Sequence, residues 1–251
     1  MPFTLSHVAA VLPLVRDGRG RGQLVAAGLV TGAMVPDLPY FADSLLRGTY
    51  RYGCLTHRWW AAPTVDVALS AAVVAGARAL WRVPGEFGRP GWFAVSAALG
   101  AATHLGWDAF THEGRAGVRV LPMLARPVAG VPLYTVLQYG TSLLGLAVLA
   151  RRYGPPRAVD GRTAAVLGGS ALLGAGHRLA RRERGWIDEL CFGAGAGAAV
   201  GAALLASVGR WAGAPDGTGR PGPRRSARVR TGSPWRRGSR RSRRRRPGRR
   251  G

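Results

Sequence analysis

The chain has 251 residues, 47% of them hydrophobic, and carries a formal net charge of +24. All 36 basic residues are arginine, and sixteen of them lie from Arg210 onward, so the charge belongs largely to the C-terminal end and not to the apolar body. Cys54 and Cys191 are the only cysteines, which excludes a disulfide framework and a thiolate metal site.

The N-terminal stretch from Met1 to Val15 is apolar and looks like a signal peptide only superficially. A secretory signal begins with basic residues, whereas here Arg16, Arg19 and Arg21 follow the apolar run. We therefore expect a short membrane-embedded helix whose C-terminal end faces the cytoplasm.

Six further apolar runs predict helices, and residues 36–62, between the first two runs, predict a polar loop. The runs are Leu24–Val35, Thr64–Trp81, Trp92–Phe110, Tyr134–Ala150, Thr163–Gly176 and Leu190–Val208. Several are shorter than the roughly 20 residues that cross a bilayer, so we expect tilted, re-entrant or internally packed segments among them. Gly193, Gly197 and Gly201 recur every fourth residue, which predicts close helix packing. The predicted fold class is all-α, a polytopic membrane helix bundle of about six or seven segments over residues 1–209.

Residues 210–251 form a separate predicted region, a disordered tail of arginine, glycine, proline and serine. Its charge predicts binding to anionic lipid headgroups. Nucleic acid is the less favoured partner, because Trp235 is the single aromatic residue within the basic run. The distribution of arginine among the loops and the tail predicts a multi-pass protein of the cell membrane with a cytoplasmic tail.

Ionisable residues concentrate at one end of the predicted segments. Because successive segments alternate in direction, these residues are expected at one face of the membrane: His7, Asp37, His57, Asp66, His104, Asp108, His112 and Gln138. His104, Asp108 and His112 recur every fourth residue, so a continuous helix lines them along one side. Positions eight apart are roughly 12 Å apart along a helix axis. Either the helix unwinds after Phe110, or His112 serves another role than the pair His104 and Asp108.

Imidazole and carboxylate side chains together suit zinc and related divalent ions, with bound water as the attacking group. We predict that the metal ligands are His7, Asp37, His57, His104 and Asp108. Asp37 and Asp108 are the predicted catalytic carboxylates, one of them acting as general base, and Asp66, His112 and Gln138 are predicted to support the ligands. Structural interpretations remain open: Asp37 also suits a turn, and Asp66 also suits pairing with an arginine. His177 lies beside arginines, so a structural role is favoured there.

Several motifs resemble a bacterial integral-membrane family that is classed as a domain of unknown function. The resemblance extends from Met1 to about Ala150 and rests on residues 1–14 (MPFTLSHVAAVLPL), 32–41 (GAMVPDLPYF), 56–57 (TH), 104–112 (HLGWDAFTH) and 133–142 (LYTVLQYGTS). The order of an early His, Pro-Asp, Thr-His and His-xxx-Asp is also similar to membrane-bound metal-dependent hydrolases, which implies the same five ligands. Arg58 and Trp59 depart from that pattern, in which Ser and an aliphatic residue usually follow the His. This departure bears on the substrate and not on metal binding.

Three functions are therefore considered for the polar cluster. The first is a membrane hydrolase that uses a divalent metal to cleave an ester or phosphoester near the headgroup level. The second is a non-enzymatic transporter or ion pathway that uses the same polar residues. The third is an accessory membrane protein with a structural metal.

Overall fold

The computed structural model describes residues 3–81, 88–154, 159–181 and 183–212, and these residues are mostly helical. The α-helices within these ranges are α1 (Val8–Val11), α2 (Ala26–Gly32), α3 (Leu38–Ala42), α4 (Gly53–Thr56), α5 (Val65–Trp81), α6 (Pro90–Thr111), α7 (Ala116–Val120), α8 (Leu133–Tyr153), α9 (Gly161–Arg181) and α10 (Trp186–Ala212). Two short antiparallel hairpins pair β1 (Val15–Arg16) with β2 (Arg19–Gly20) and β3 (Pro127–Val128) with β4 (Val131–Pro132). The all-α prediction is confirmed. The predicted tail beyond Ala212 lies outside the described residues.

The N-terminal apolar run forms a short helical stretch from Thr4 to Leu14, as predicted, and its geometry changes along its length. It consists of a 3₁₀ turn at Thr4–His7, then α1, then a second 3₁₀ turn at Leu12–Leu14. Pro13 lies in the first turn of the second 3₁₀ piece, where its missing N–H costs nothing, and the helical stretch ends at Val15, which is extended. The chain then reverses through the β1–β2 hairpin, where Asp17 and Gly18 adopt positive φ angles of 51° and 75°.

The region predicted as a polar loop between α2 and α5 is also helical, in short pieces. It contains α3, α4 and three 3₁₀ turns at Val35–Asp37, Thr49–Tyr52 and Trp59–Ala61. Pro36 and Pro39 lie in first turns, where a missing N–H costs nothing and the fixed φ favours the helix. Short helices of this kind let the chain turn several times within a small volume.

The core of the site-bearing region is the contact between α2 and α6. A Cβ atom added at Gly32 would collide with the carbonyl oxygen of Ala97, and one at Gly100 would collide with the carbonyl oxygen of Leu29. Ala33 and Ala97 are fully buried at this contact. Small residues therefore bring the two backbones close together and set the position of the C-terminal half of α6.

Helices α9 and α10 form a hairpin with an equally close contact. A Cβ atom on Gly193 would collide with the carbonyl oxygen of Gly174, and one on Gly197 with that of Ser170. The predicted packing role of the glycines in the last apolar run is confirmed.

Two helices in the described part of the chain are long and apolar enough to cross a membrane. They are Leu133–Tyr153, with a mean hydropathy of 1.4, and Trp186–Val208, with a mean hydropathy of 1.8. Large apolar side chains on α8 and α10 are exposed, for example Leu143 and Leu144, each 62% exposed, and Leu204, 54% exposed.

Candidate metal centre

Five buried side chains from four separate stretches of the chain meet in one cluster. His7 ends the first 3₁₀ turn, Asp37 precedes α3, and His57 follows α4, whereas His104 and Asp108 lie one turn apart on α6. Their exposed fractions range from 0% for Asp37 and His104 to 8% for His57. We call these residues the His/Asp cluster.

Two imidazole nitrogens of the cluster each lie at a similar distance from both carboxylates. His57 Nε2 lies 3.5 Å from Asp37 Oδ1 and 3.4 Å from Asp108 Oδ2. His104 Nε2 lies 3.5 Å from the same Asp37 oxygen and 3.6 Å from the same Asp108 oxygen. Ligands bound to one ion at about 2.0–2.1 Å lie roughly 3–4 Å apart. These His-to-Asp distances are therefore compatible with a shared divalent ion.

Backbone carbonyl groups fix the orientation of the two imidazole rings. His104 Nδ1 donates to the carbonyl oxygen of Ala33 at 2.9 Å, and His57 Nδ1 donates to that of Gly53 at 2.9 Å. A carbonyl oxygen only accepts, so the proton of each neutral ring lies on Nδ1 and Nε2 presents its lone pair to the cluster. In metal sites, a histidine ligand commonly donates its other ring N–H to a carbonyl or carboxylate oxygen, which fixes the ring in the same way.

The two carboxylates keep oxygens available for a cation. Asp37 Oδ2 accepts a hydrogen bond of 2.5 Å from Thr4 Oγ1, which fixes that carboxylate. Asp37 Oδ1, both oxygens of Asp108 and His104 Nε2 are buried and have no hydrogen-bond partner among the described residues. Buried polar atoms are normally paired or coordinate a metal. The donor set and its unpaired atoms thus fit a bound divalent ion.

Asp108 also faces a second side of the cluster. Its Oδ1 lies 3.6 Å from His7 Nε2 and 3.8 Å from His112 Nδ1. The α-helix ends at Thr111, and His112 is extended, with φ −131° and ψ 141°. Of the two predicted alternatives for His112, the structure shows the one in which the helix ends, and the imidazole returns toward Asp108.

His7 packs against His104 with ring centroids 3.9 Å apart and an angle of 22° between the ring planes. Neither nitrogen of His7 has a hydrogen-bond partner among the described residues. The donor atoms of His7, Asp37 and His104 all lie within 4.8 Å of one another, as do those of His57, His104 and Asp108. The imidazole of His7 is therefore close enough to Asp37 and His104, and also to Asp108, to share a metal ion with them.

The remaining predicted residues lie outside this ligand set. Asp66 is fully buried in α5, and among the described residues its carboxylate forms no salt bridge and accepts no hydrogen bond. Among the described residues, Asp66 therefore has no arginine partner, and its supporting role stays a prediction. Gln138 is partly buried in α8, and its supporting role stays a prediction. His177 is exposed and contacts Arg181 at 2.9 Å, in agreement with a structural role.

The sequence did not point to several groups that hold the ligands. Thr4 binds Asp37, and Thr56 Oγ1 donates to the carbonyl oxygen of Pro36 at 2.6 Å, which joins the segments of His57 and Asp37. Thr4 lies three residues before His7, so a helical turn places both side chains on one side. This spacing is a feature of the sequence from which a supporting role of Thr4 can be predicted. The carbonyl groups of Ala33 and Gly53 carry no such signal.

Burial and neighbouring carboxylates act in opposite directions on His57. Burial by itself lowers the pKa of His57, but the nearby carboxylates of Asp108 and Asp37 raise it above its usual value. The two buried carboxylates therefore favour a positive charge at this place.

Residues 1–154 match the model of one protein family, which carries the description Domain of unknown function (DUF4184). The chain belongs to this family. No curated protein and no solved structure matches the chain.

The five residues of the His/Asp cluster and the neighbouring His112 all lie in the part of the chain that the family covers. Helices α9 and α10 lie beyond it. The family thus includes the complete His/Asp cluster without the C-terminal hairpin.

A second buried ionic cluster joins the hairpin to α3. Arg178, which is fully buried, donates to Glu189 at 2.5 Å and to Asp43 Oδ2 at 2.8 Å. Burial alone would raise the pKa of Asp43, but the N–H groups of Tyr50 and Gly48 and the Arg178 guanidinium hold it below its usual value. Positive and negative groups alternate here, so this second cluster is a structural connection.

Proposed function

We propose that this protein is a membrane-embedded, metal-dependent hydrolase that cleaves an ester or phosphoester near the level of the lipid headgroups. The observation that carries the proposal is that the imidazole nitrogens of His57 and His104 each lie 3.4–3.6 Å from an oxygen of Asp37 and an oxygen of Asp108 in a buried cluster. Zinc is the ion that best suits two imidazoles and two carboxylates at this spacing.

The type of ligand favours a catalytic over a structural metal. Structural zinc sites use mostly cysteine, whereas catalytic zinc sites use histidine and carboxylate and keep a position for water. With four protein ligands here, the water would occupy a fifth position, a coordination number that catalytic zinc can adopt. A small cavity of about 40 Å³ is lined by His57, Asp108 and Arg115. A single water needs roughly 10–15 Å³ of such space. A water molecule therefore has room beside the ligands.

The side chains of the cluster have distinct roles in the proposed reaction. When bound, the divalent ion acidifies water and polarises the ester. Hydrolysis forms a bond from the water oxygen to phosphorus or carbon and breaks the ester bond, whose electron pair goes to the leaving alkoxide. Asp108 would hold the ion through Oδ2 and use Oδ1 to accept the proton of the water and return it to the alkoxide, while Asp37, fixed by Thr4, serves only as a ligand.

The membrane location is part of the same proposal. Helices α8 and α10 expose apolar side chains such as Leu143 and Leu204, and exposed apolar surface of this extent suits lipid. The shorter apolar helices complete a bundle of six or seven segments, with the basic tail on the cytoplasmic side binding anionic lipids. The expected measurement is retention of the full chain in cell membranes after an alkaline carbonate wash.

Metal analysis of the purified full-length protein tests the catalytic proposal. We expect stoichiometric zinc or manganese in the wild type, at least tenfold less in Asp108→Asn, and wild-type content in the exposed control Asp17→Asn. Hydrolysis of p-nitrophenyl acetate and p-nitrophenyl phosphate should follow the metal content. Metal-free wild type that conducts protons or ions in liposomes would instead support an ion pathway, and bound metal without hydrolysis would support a structural metal.

A further inference from the structure

A large pocket opens beside the His/Asp cluster and is rich in arginine. Its volume is about 650 Å³, and its lining includes four arginines, Arg51, Arg58, Arg115 and Arg119, together with His57. Small-molecule sites usually have volumes of roughly 300–1,000 Å³. We call this cavity the arginine pocket.

The arginine pocket adjoins the proposed reaction centre. The small cavity that touches Asp108 is lined by His57, Trp59, Arg115 and Ala116, and the same four residues line the arginine pocket. A molecule in the pocket would therefore have one end at the place where water fits beside the metal ligands.

The charge of the pocket is strongly positive. In the part of the chain that the structure describes, none of its four guanidinium groups forms a salt bridge with a carboxylate, and no acidic residue lines the cavity. Arg119 Nε donates to the carbonyl oxygen of Gly114 at 2.9 Å, which leaves its charge unneutralised. A divalent ion would neutralise the two carboxylates of the cluster, so the positive charge of the arginines would remain available for a ligand.

We propose that the substrate is a phosphate monoester whose phosphate group is bound by Arg58 and Arg115 next to the His/Asp cluster. This inference rests on the proposed function and narrows it from esters in general to one anionic class. Guanidinium groups bind phosphate oxygens in pairs of charge-assisted hydrogen bonds. A doubly charged group with three free oxygens matches several guanidinium groups better than a neutral ester or a single carboxylate does.

Local structure positions these two arginines at the boundary of the pocket. Arg58 directly follows His57, and Arg115 immediately precedes α7 and is partly buried. Helix α7 packs closely on the end of α6, because a Cβ atom at Gly117 would lie 2.6 Å from the carbonyl oxygen of Ala109. The backbone at Arg115 is thus held beside the helix that carries Asp108.

Binding of inorganic phosphate to the metal-loaded full-length protein in detergent tests the inference without activity. We expect calorimetric binding to the wild type and about tenfold weaker binding to Arg58→Gln and to Arg115→Gln. The matched control Arg126→Gln changes an exposed arginine outside the pocket and should bind phosphate as the wild type does. Metal content measured on each variant shows whether the His/Asp cluster remains intact.

Kinetics with two probes that share a leaving group give a second readout. We expect p-nitrophenyl phosphate to be cleaved in preference to p-nitrophenyl acetate, and the two arginine variants to raise KM for the phosphate at least tenfold with a smaller change in kcat. A further experiment compares p-nitrophenyl phosphate with dioleoyl phosphatidic acid in mixed micelles. Faster release of phosphate from the lipid identifies the phosphate monoester as a lipid headgroup.

The outcomes separate this inference from the proposed function. Bound metal and hydrolysis of the acetate, with no binding of phosphate, would overturn the inference and leave the hydrolase in place. Equal phosphate affinity in the wild type and both arginine variants would also overturn the inference. Absence of metal from the wild type would overturn the proposed function, whereas phosphate binding that depends on Arg58 and Arg115 would still identify the anion site.

Discussion

Asp37 illustrates how a single residue is prepared for a cation. One of its oxygens accepts the hydroxyl proton of Thr4, and the other lies 3.5 Å from both His57 Nε2 and His104 Nε2. The carboxylate cannot rotate without losing the first hydrogen bond. Its free oxygen is therefore directed at the imidazole nitrogens.

The substitution Thr4→Val tests this positioning role. The change keeps the side-chain shape but removes the hydroxyl group, so Asp37 Oδ2 is left buried without its partner. Loss of a hydrogen bond to a ligand typically costs 10–100-fold in metal affinity, and we expect a decrease of about tenfold. Competition with a chelator measures it. Thr64→Val removes an exposed hydroxyl that bonds only within its own turn and should leave the affinity unchanged.

The types of the candidate ligands could be predicted from the sequence, but the groups that hold them could not. Histidine and aspartate in otherwise apolar runs are costly unless they have a role, so His104 and Asp108 stood out. The carbonyl groups of Ala33 and Gly53 look like any other backbone group in the sequence. Their role depends on contacts between distant segments, which residue types and spacing do not encode.

At the scale of elements, the α2–α6 contact determines where His104 lies. Gly32 faces the backbone of Ala97, and Ala33, its neighbour, accepts the hydrogen bond from His104. The packing of α2 on α6 and the orientation of the His104 ring therefore depend on neighbouring residues at the end of α2.

We expect Gly32→Ala to disturb both the fold and the centre. The added methyl group would collide with the carbonyl oxygen of Ala97, and overpacking of this kind costs about 1–3 kcal/mol. Gly106→Ala is the matched control, because a Cβ atom there meets open space and a helical alanine is favoured by about 0.5–1 kcal/mol. The melting temperature in detergent and the metal content should both be lower for Gly32→Ala and unchanged for Gly106→Ala. Equal behaviour of the two would contradict the role given to this contact.

The long helices were predicted well, whereas the short segments between α2 and α5 were not. Apolar composition identified α5 and α6 to within two residues, because nothing interrupts those runs. Pro36 marked the end of the second apolar run, but the shape of the chain after it depends on packing. The short helices between α2 and α5 could not be predicted, since each is stabilised by contacts with other elements and not by its own length.

At the scale of the whole molecule, the Arg178 cluster connects the hairpin of α9 and α10 to the family domain. Arg178→Met should lower the free energy of unfolding by about 3–5 kcal/mol, because it leaves Glu189 and Asp43 buried without their partner. Arg47→Met, the control, removes an exposed pair with Glu183 and should leave the free energy of unfolding nearly unchanged, because solvent screens such pairs. Chemical denaturation of both variants in detergent makes the comparison, and similar losses would argue against a connecting role.

The acid dependence of this connection follows from Asp43. Its pKa in the folded protein lies below its usual value. Its contribution to stability is therefore complete above the unfolded-state pKa of about 3.9 and is lost as the pH falls through the lower folded-state value. We expect Asp43→Asn to reduce the stability at neutral pH and to flatten its decrease below about pH 4. A denaturation series across that range provides the measurement.

Removal of metal should destabilise the entire fold, because the ligands come from four separate stretches of chain. An ion present at a hundred times its Kd stabilises the native state by about 2.7 kcal/mol. We expect a chelator to lower the melting temperature of the wild type and zinc to restore it. Asp108→Asn should melt at the same temperature with or without chelator, and a chelator effect of wild-type size in that variant would contradict this assignment.

The order of the donors along the chain has a consequence for biosynthesis. His7 comes first and His112 last, so every one of them is synthesised before α8 and α10. Domains generally fold from the N-terminus during synthesis. Under the proposed function, the cluster could thus take up its ion before α10 is complete, and a cell starved of that ion would meet the defect in nascent chains.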